Sequence, residues 1–321
     1  MEVVTKKRMQ IFSGRGHPEL GREVADHLGM ALGAVDVHEF ANGELYVRYQ
    51  ENVRGSDVFV VQTHCEPINE RIMEQLVMID AAKRASAKRI IAVAPFYGYA
   101  RQDKKGRSRE PITARLLANM LRTAGADRVV SVDLHTGQIQ GFFDGPLDAL
   151  TTLPLLVGWL QDHYRDSELV IASPDAGRVR LAEKFISRLD GAQPAYLAKT
   201  RTGHNMAQTL AVVGDVEDRV CVLVDDMIDT AGTICGAAEA LAERGAASVI
   251  ALATHGVLSG PAMERIEASP IERVVVTNTL PVQQQALSKL EVVSIAPTIA
   301  STMRAIFEDE SVSELFDDQN Q

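Results

Sequence analysis

Two patterns alternate along most of this chain: short β-branched apolar runs, and longer stretches whose apolar residues recur every three or four positions. The segments RIIAVAPF (89–96), ITARLLANMLRTAG (112–125) and DRVVSVDL (127–134) follow one another in this way, and so do DRVCVLVDD (218–226), GTICGAAEALAERG (232–245) and ASVIALATHG (247–256). Apolar runs of strand length without polar alternation suit strands buried on both faces. Their alternation with amphipathic helices predicts an α/β fold of mostly parallel sheets flanked by helices. The two triplets also resemble each other. Each has a polar loop, an Ala/Leu-rich helix, a small-residue turn (RTAGAD, ERGAAS) and a second strand ending near a histidine, His135 or His255. This predicts a duplicated unit. Glycine and proline cluster in GFFDGPLDALTTLP (141–154), which places a boundary there. The expected organisation is a domain over 1–150, a second over 151–300, and a helix or tail over 301–321. The acidic ending EDESVSELFDDQNQ reads as frayed, with Val312, Leu315 and Phe316 suggesting that part of it docks back.

Composition narrows the function classes. At 321 residues, 46% hydrophobic and only 5% aromatic, the chain supports two aliphatic cores. No apolar run approaches the roughly 20 residues of a membrane span, and the N-terminal MEVVTKKRMQIFSG has no apolar signal core, so a cytoplasmic protein is expected. Cys65, Cys221 and Cys235 form no CxxC pair and read as reduced, buried thiols. A net charge of −10 disfavours a nucleic-acid surface, yet RQDKKGRSR (101–109) holds five basic residues in nine positions. Such a patch in an acidic protein suits a small anionic ligand.

The sharpest chemical signal is VCVLVDDMIDTAGTICGAAEAL (220–241). An apolar strand leads into three carboxylates, Asp225, Asp226 and Asp229, which must reach water or hold a partner rich in donors. Thr230, Ala231, Gly232 and Thr233 then open an apolar helix, whose free N-terminal amides and dipole form a phosphate site. A ligand with both a phosphate and vicinal hydroxyls satisfies the whole segment, the plain alternative being a solvated loop with an Asp/Thr cap. Elsewhere FANGE (40–44) followed by ELYVRY reads as a hairpin. His135 at a strand end reads more readily as a structural histidine than as a ligand, and KTRTGHN (199–205) as an exposed connection.

The segment VLVDDMIDTAGT resembles the phosphoribosyl diphosphate (PRPP) motif of type I phosphoribosyltransferase-fold proteins, shared by enzymes that consume PRPP and by the synthase that makes it. With FANGE, FYGYARQDKK (96–105), VDLHTGQIQGFF (132–143) and KTRTGHN, nearly the whole chain looks like the class I PRPP synthase (ribose-phosphate diphosphokinase) family. The resemblance implies two duplicated phosphoribosyltransferase-type domains, an ATP side and a ribose 5-phosphate side. It also implies transfer of a diphosphoryl group from ATP to the sugar, giving PRPP and AMP for nucleotide and amino-acid biosynthesis, with Mg²⁺. Carried onto this sequence, the resemblance makes Phe40, Asn42, Gly43, Glu44, Arg101 and Gln102 the ATP site and Lys199 and Arg201 the catalytic pair. Asp225, Asp226, Asp229, Thr230, Ala231, Gly232 and Thr233, together with Arg201, become the ribose 5-phosphate site, and His135 and Asp175 the Mg²⁺ ligands. A homo-oligomer, commonly a hexamer, regulated by phosphate and ADP is implied too, with Ser311, Val312 and Ser313, and also Arg54 and Arg84, at the regulatory site. Two positions depart from the family pattern: Arg178 stands where a second glycine is usual, and Thr200 where a second basic residue is. A PRPP-consuming transferase leaves FANGE and ARQ idle. A non-catalytic regulatory paralogue has no need to retain Lys199, Arg201, His135 and Asp175 together.

Overall fold

The computed structural model describes residues 7–200, 209–282 and 287–316. They form two compact units, the first comprising 1–151, 279–281 and 295–321, the second 152–278 and 282–294.

Unit one begins with β1 (Met9–Ser13) and α1 (Pro18–His27), followed by a separate antiparallel hairpin of β2 (Val35–Glu39) and β3 (Leu45–Tyr49). After it come β4 (Asp57–Val61), α2 (Ile68–Arg84), β5 (Arg89–Ala94), α3 (Thr113–Ala124), β6 (Arg128–Val132) and β7 (Leu147–Leu150). The five strands other than the hairpin pair in parallel in the order β1-β4-β5-β6-β7. All five residues of β4 are buried: the apolar run VFVV suits a strand covered on both faces, and Asp57 before it pairs with Arg89. Helix α3 turns Ala114, Leu117, Ala118 and Leu121 inward, the three-and-four spacing visible in the sequence.

Unit two runs α4 (Leu153–His163), β8 (Leu169–Ser173), α5 (Val179–Ile186), β9 (Gln193–Thr200), β10 (Thr209–Val213) and β11 (Val220–Ile228). It continues with α6 (Gly232–Glu243), β12 (Ser248–Gly256), α7 (Ala262–Ala268), β13 (Ile271–Thr277) and β14 (Leu290–Val293). The sheet order is β10-β9-β8-β11-β12-β13-β14, parallel except for the β9/β10 pair. Helix α8 (Ala296–Glu308) belongs to unit one, where it meets α1, and Asp309 beyond it pairs with Lys7 and Arg89 at 2.6 and 2.8 Å.

The duplication predicted from sequence reaches atomic detail at the two helix ends. Gly125 and Gly245 both adopt positive φ, and the next amide, of Ala126 or Ala246, donates back to the carbonyl of Leu121 or Leu241 at 3.0 or 3.2 Å. This closes each helix by the same left-handed turn and sends the chain into the next parallel strand. The three cysteines are free and buried, and burial pushes the Cys221 thiol up to about 11, which marks it as a core side chain. Among the described residues no helix is long and apolar enough to cross a membrane.

Candidate functional site

In unit two, β8 connects through α5 to β9 on one side, while its neighbour β11 connects through α6 to β12 on the other. The chain thus diverges between β8 and β11, and the carboxyl ends of these two strands open the crevice where α/β sheets bind ligands. The loop after β8 carries Asp175 and Arg178; the end of β11 and the turn after it carry Asp225 to Thr233.

Asp225 and Asp226 lie within the strand that the run 218–226 predicts, and Asp229 lies just beyond it. β11 continues through Asp225, Asp226, Met227 and Ile228, because β12 alongside it offers a ladder as far as Gly256. The pair is therefore held rigidly and is largely buried, with side-chain exposures of 16% and 8%. Their charge is met by Arg178, whose Nε lies 2.6 Å from Asp225 Oδ1 and whose Nη2 lies 2.6 Å from Asp226 Oδ1. Asp225 Oδ1 also accepts the Asp226 N–H at 2.8 Å. Burial is the main cause that holds the Asp225 carboxyl above the ordinary carboxylate range; the neighbouring Asp226 adds to it, and Arg178 opposes it.

The phosphate loop takes a tighter form than a side-chain-capped helix. Asp229 accepts from the Ser259 hydroxyl, the Thr230 carbonyl accepts from Arg265 Nη1 at 2.9 Å, and Ala231 turns left-handed (φ 59°, ψ 3°) immediately before α6. No side chain caps α6, which leaves its first amides for an outside acceptor, as the sequence reading expects in preference to an Asp/Thr cap. A non-glycine residue in this conformation carries strain, and the crevice is where it falls. Ser259 and Arg265 were missed from sequence; the stretch PAMERIEA reads as an ordinary surface helix and offers no signal.

Across the crevice Asp175 caps the turn 176–178, its Oδ1 accepting the Gly177 N–H at 2.8 Å, while its Oδ2 takes no hydrogen bond among the described residues. Lys199 lies by its backbone on β9, while Arg201 lies outside the described residues.

In unit one the predicted hairpin forms: Gly43 has φ 88°, its N–H donates to the Phe40 carbonyl at 2.8 Å, and the Phe40 N–H donates to the Glu44 carbonyl at 2.8 Å. This presents Phe40, Asn42 and Glu44 to solvent, beside a stack of His38 and Tyr46 with ring centroids 4.7 Å apart. His38 and Tyr46 give the tip an aromatic platform that reading FANGE alone did not include.

Arg101 and Gln102 follow β5, and His135 follows β6. These two segments are tied together by Asp103, which is 3% exposed and whose Oδ2 accepts from Thr136 Oγ1 and Gln138 Nε2, each at 2.6 Å. Thr113 Oγ1 donates to Gln102 Oε1 at 2.5 Å, fixing that side chain at the start of α3. Beneath them His64 is fully buried, its Nδ1 accepting the Gly98 N–H at 2.9 Å and its Nε2 2.9 Å from Gln75 Oε1. At the tail, Val312 and Ser313 line a cavity of about 320 Å³ with Arg128, Asp148 and Glu310, and Ser311 Oγ is 3.1 Å from Ser313 Oγ. Arg84 is exposed and pairs with Asp80 at 2.7 Å; the Arg54 N–H donates to Asn52 Oδ1 at 3.0 Å.

Among the described residues no group of three or more His, Cys, Asp or Glu side chains surrounds one point. The Asp175 oxygen that takes no hydrogen bond is a hard donor of the kind preferred by a Mg²⁺ ion that keeps most of its waters.

Two parallel-sheet units, the second with an acid pair and an uncapped helix end at its switch point, define an α/β protein of the phosphoribosyltransferase type. A family model for the N-terminal domain of ribose phosphate pyrophosphokinase matches residues 9–125, and one for the phosphoribosyl synthetase-associated domain matches 170–317. The ribose-phosphate pyrophosphokinase of Streptomyces coelicolor is 57% identical over 322 residues, covering 99% of each chain. That of Mycobacterium leprae is 56% identical over 315 residues, covering 97% of this chain and 96% of its own. A crystal structure of phosphoribosylpyrophosphate synthetase from Mycobacterium smegmatis superposes with a TM-score of 0.90 at 55% identity, covering 94% of this chain and all of that one. The chain belongs to the ribose-phosphate pyrophosphokinase family, the class I PRPP synthases.

Proposed function

We propose a division of labour between the two units for the reaction of this family, in which ATP and ribose 5-phosphate give PRPP and AMP. The chain is a Mg²⁺-dependent diphosphotransferase of nucleotide biosynthesis. The observation that carries the assignment of parts is the crevice between β8 and β11. A rigid acid pair there lies one turn from a helix start that no side chain caps.

Ribose 5-phosphate sits with its 5-phosphate on the amides and hydroxyls of Asp229 to Thr233, next to the Arg265 guanidinium, and with its 2- and 3-hydroxyls donating to Asp225 and Asp226. The ATP base and ribose meet Phe40, Asn42, Gly43 and Glu44, and Arg101 and Gln102 hold the nucleotide from the β5 segment. His135 and Asp175 would hold the Mg²⁺, which would supply charge neutralisation on the phosphate oxygens. The anomeric hydroxyl attacks the β-phosphorus of ATP, its O–P bond forming as the bond from β-phosphorus to the α,β-bridging oxygen breaks and AMP departs. Lys199 and Arg201 neutralise the charge that grows on the transferring and departing oxygens. Positioning and charge carry the rate, and no side chain is assigned as general base.

Phosphate and ADP as effectors, with Ser311, Val312 and Ser313, Arg54 and Arg84 at the regulatory site, a homo-hexameric assembly and a cytoplasmic location complete the proposal. Supplying the protein with ATP, Mg²⁺ and ribose 5-phosphate is expected to yield AMP and PRPP in equal amounts. Nucleotide formation from PRPP and a nucleobase without ATP would overturn it.

A further inference from the structure

Arg178 is the one charged group described on both carboxylates of the acid pair, and nothing in the reaction as set out above uses it. Its side chain is 18% exposed and reaches both acids: Nε donates to Asp225 Oδ1, and Nη2 forms an ion pair with Asp226 Oδ1, both at 2.6 Å. The carboxylates stand on β11 and the arginine on the loop after β8, so the fork spans the switch point from one wall to the other. Both bonds to Asp225, from Arg178 and from the Asp226 amide, fall on Oδ1; Oδ2 accepts no hydrogen bond among the described residues.

Two adjacent carboxylates this deeply placed repel each other and lose hydration. Without a cation one of them takes up a proton and becomes a donor, the wrong polarity for a sugar hydroxyl. The guanidinium opposes that proton uptake and, by meeting one oxygen of each acid, fixes how the pair faces the crevice. We propose that Arg178 is a positioning residue for ribose 5-phosphate: by meeting one oxygen of each acid it presents the pair in a fixed orientation to the vicinal hydroxyls of the sugar. This inference rests on the assignment of Asp225 and Asp226 to the sugar. It adds that affinity for the sugar phosphate is set by a residue that does not touch it.

The test compares wild type with Arg178→Gln and Arg178→Lys in the full reaction and in calorimetric titration with ribose 5-phosphate alone. Loss of a charge-assisted fork is expected to raise KM and Kd for ribose 5-phosphate at least about tenfold in Arg178→Gln, with KM for ATP within about threefold of wild type. Arg178→Lys, which keeps the charge but grips one acid at a time, is expected to fall between the two. A general loss of folding moves both KM values and the thermal midpoint together, and the split between the substrates excludes it. Unchanged or tighter sugar binding in Arg178→Gln would overturn the proposal, the second result making the arginine a competitor of the sugar. A wild type that releases no AMP in the presence of ribose 5-phosphate would instead sink the assignment of the reaction, so the two failures are told apart.

Discussion

Asp103 joins the two segments of unit one to which the proposed function assigns nucleotide and metal contacts. Its buried carboxylate accepts from Thr136 and Gln138 and thereby joins the segment of Arg101 and Gln102 to that of His135. Replacing it by Ala leaves those donors without an acceptor. The expected result in steady-state kinetics is a rise of about tenfold or more in KM for ATP, with KM for ribose 5-phosphate little changed. His64 makes a prediction about pH. Burial lowers its pKa from 6.5 to about 4, so the folded chain holds it neutral while the unfolded chain protonates it near 6.5. Its contribution is fully present above pH 6.5 and is lost as pH falls towards 4, on the order of 3 kcal/mol. Urea melts at pH 7 and pH 4.5 are expected to show this loss in wild type and a smaller one in His64→Gln; equal slopes would refute it. Neither residue was legible as a site residue in the sequence. Asp103 sits inside a run of basic residues that reads as solvated, and its partners lie 33 and 35 residues away, a proximity only the parallel β5/β6 pairing creates.

At the scale of elements the sequence was far more readable, because the signals are local. The three-and-four spacing marked α3, the Asn-Gly pair marked the β2/β3 hairpin, and Gly125 and Gly245 marked the ends of α3 and α6. Gly245→Ala is expected to cost about 1 kcal/mol in urea unfolding, from the left-handed φ of 87° and a contact of 3.4 Å with Glu217 Cγ. Gly125→Ala is expected to cost more, since its new Cβ would come within 2.6 Å of Lys83 Cδ. The local pattern marked the strand through Asp226 but not how far it runs: pairing with β12 carries β11 to Ile228, and Arg178 offsets part of the acids' charge. Arg178 itself stood out in the sequence only as a departure from the glycine usual there. Its role became visible once β8 and β11 were known to be neighbours.

For the whole molecule, the acid and hydroxyl motif identifies a sugar phosphate without fixing the direction of chemistry. Membership of the ribose-phosphate pyrophosphokinase family fixes it, and the proposed nucleotide site at FANGE and ARQ accords with that direction. The central claim is the transfer of a diphosphoryl group, and the label on ATP reports it directly. With ATP carrying ³²P at the β-position, Mg²⁺ and ribose 5-phosphate, the label is expected in PRPP with unlabelled AMP released, and Lys199→Ala is expected to slow the transfer by at least about a hundredfold. Label recovered in ADP, or a Lys199→Ala variant as fast as wild type, would contradict the account.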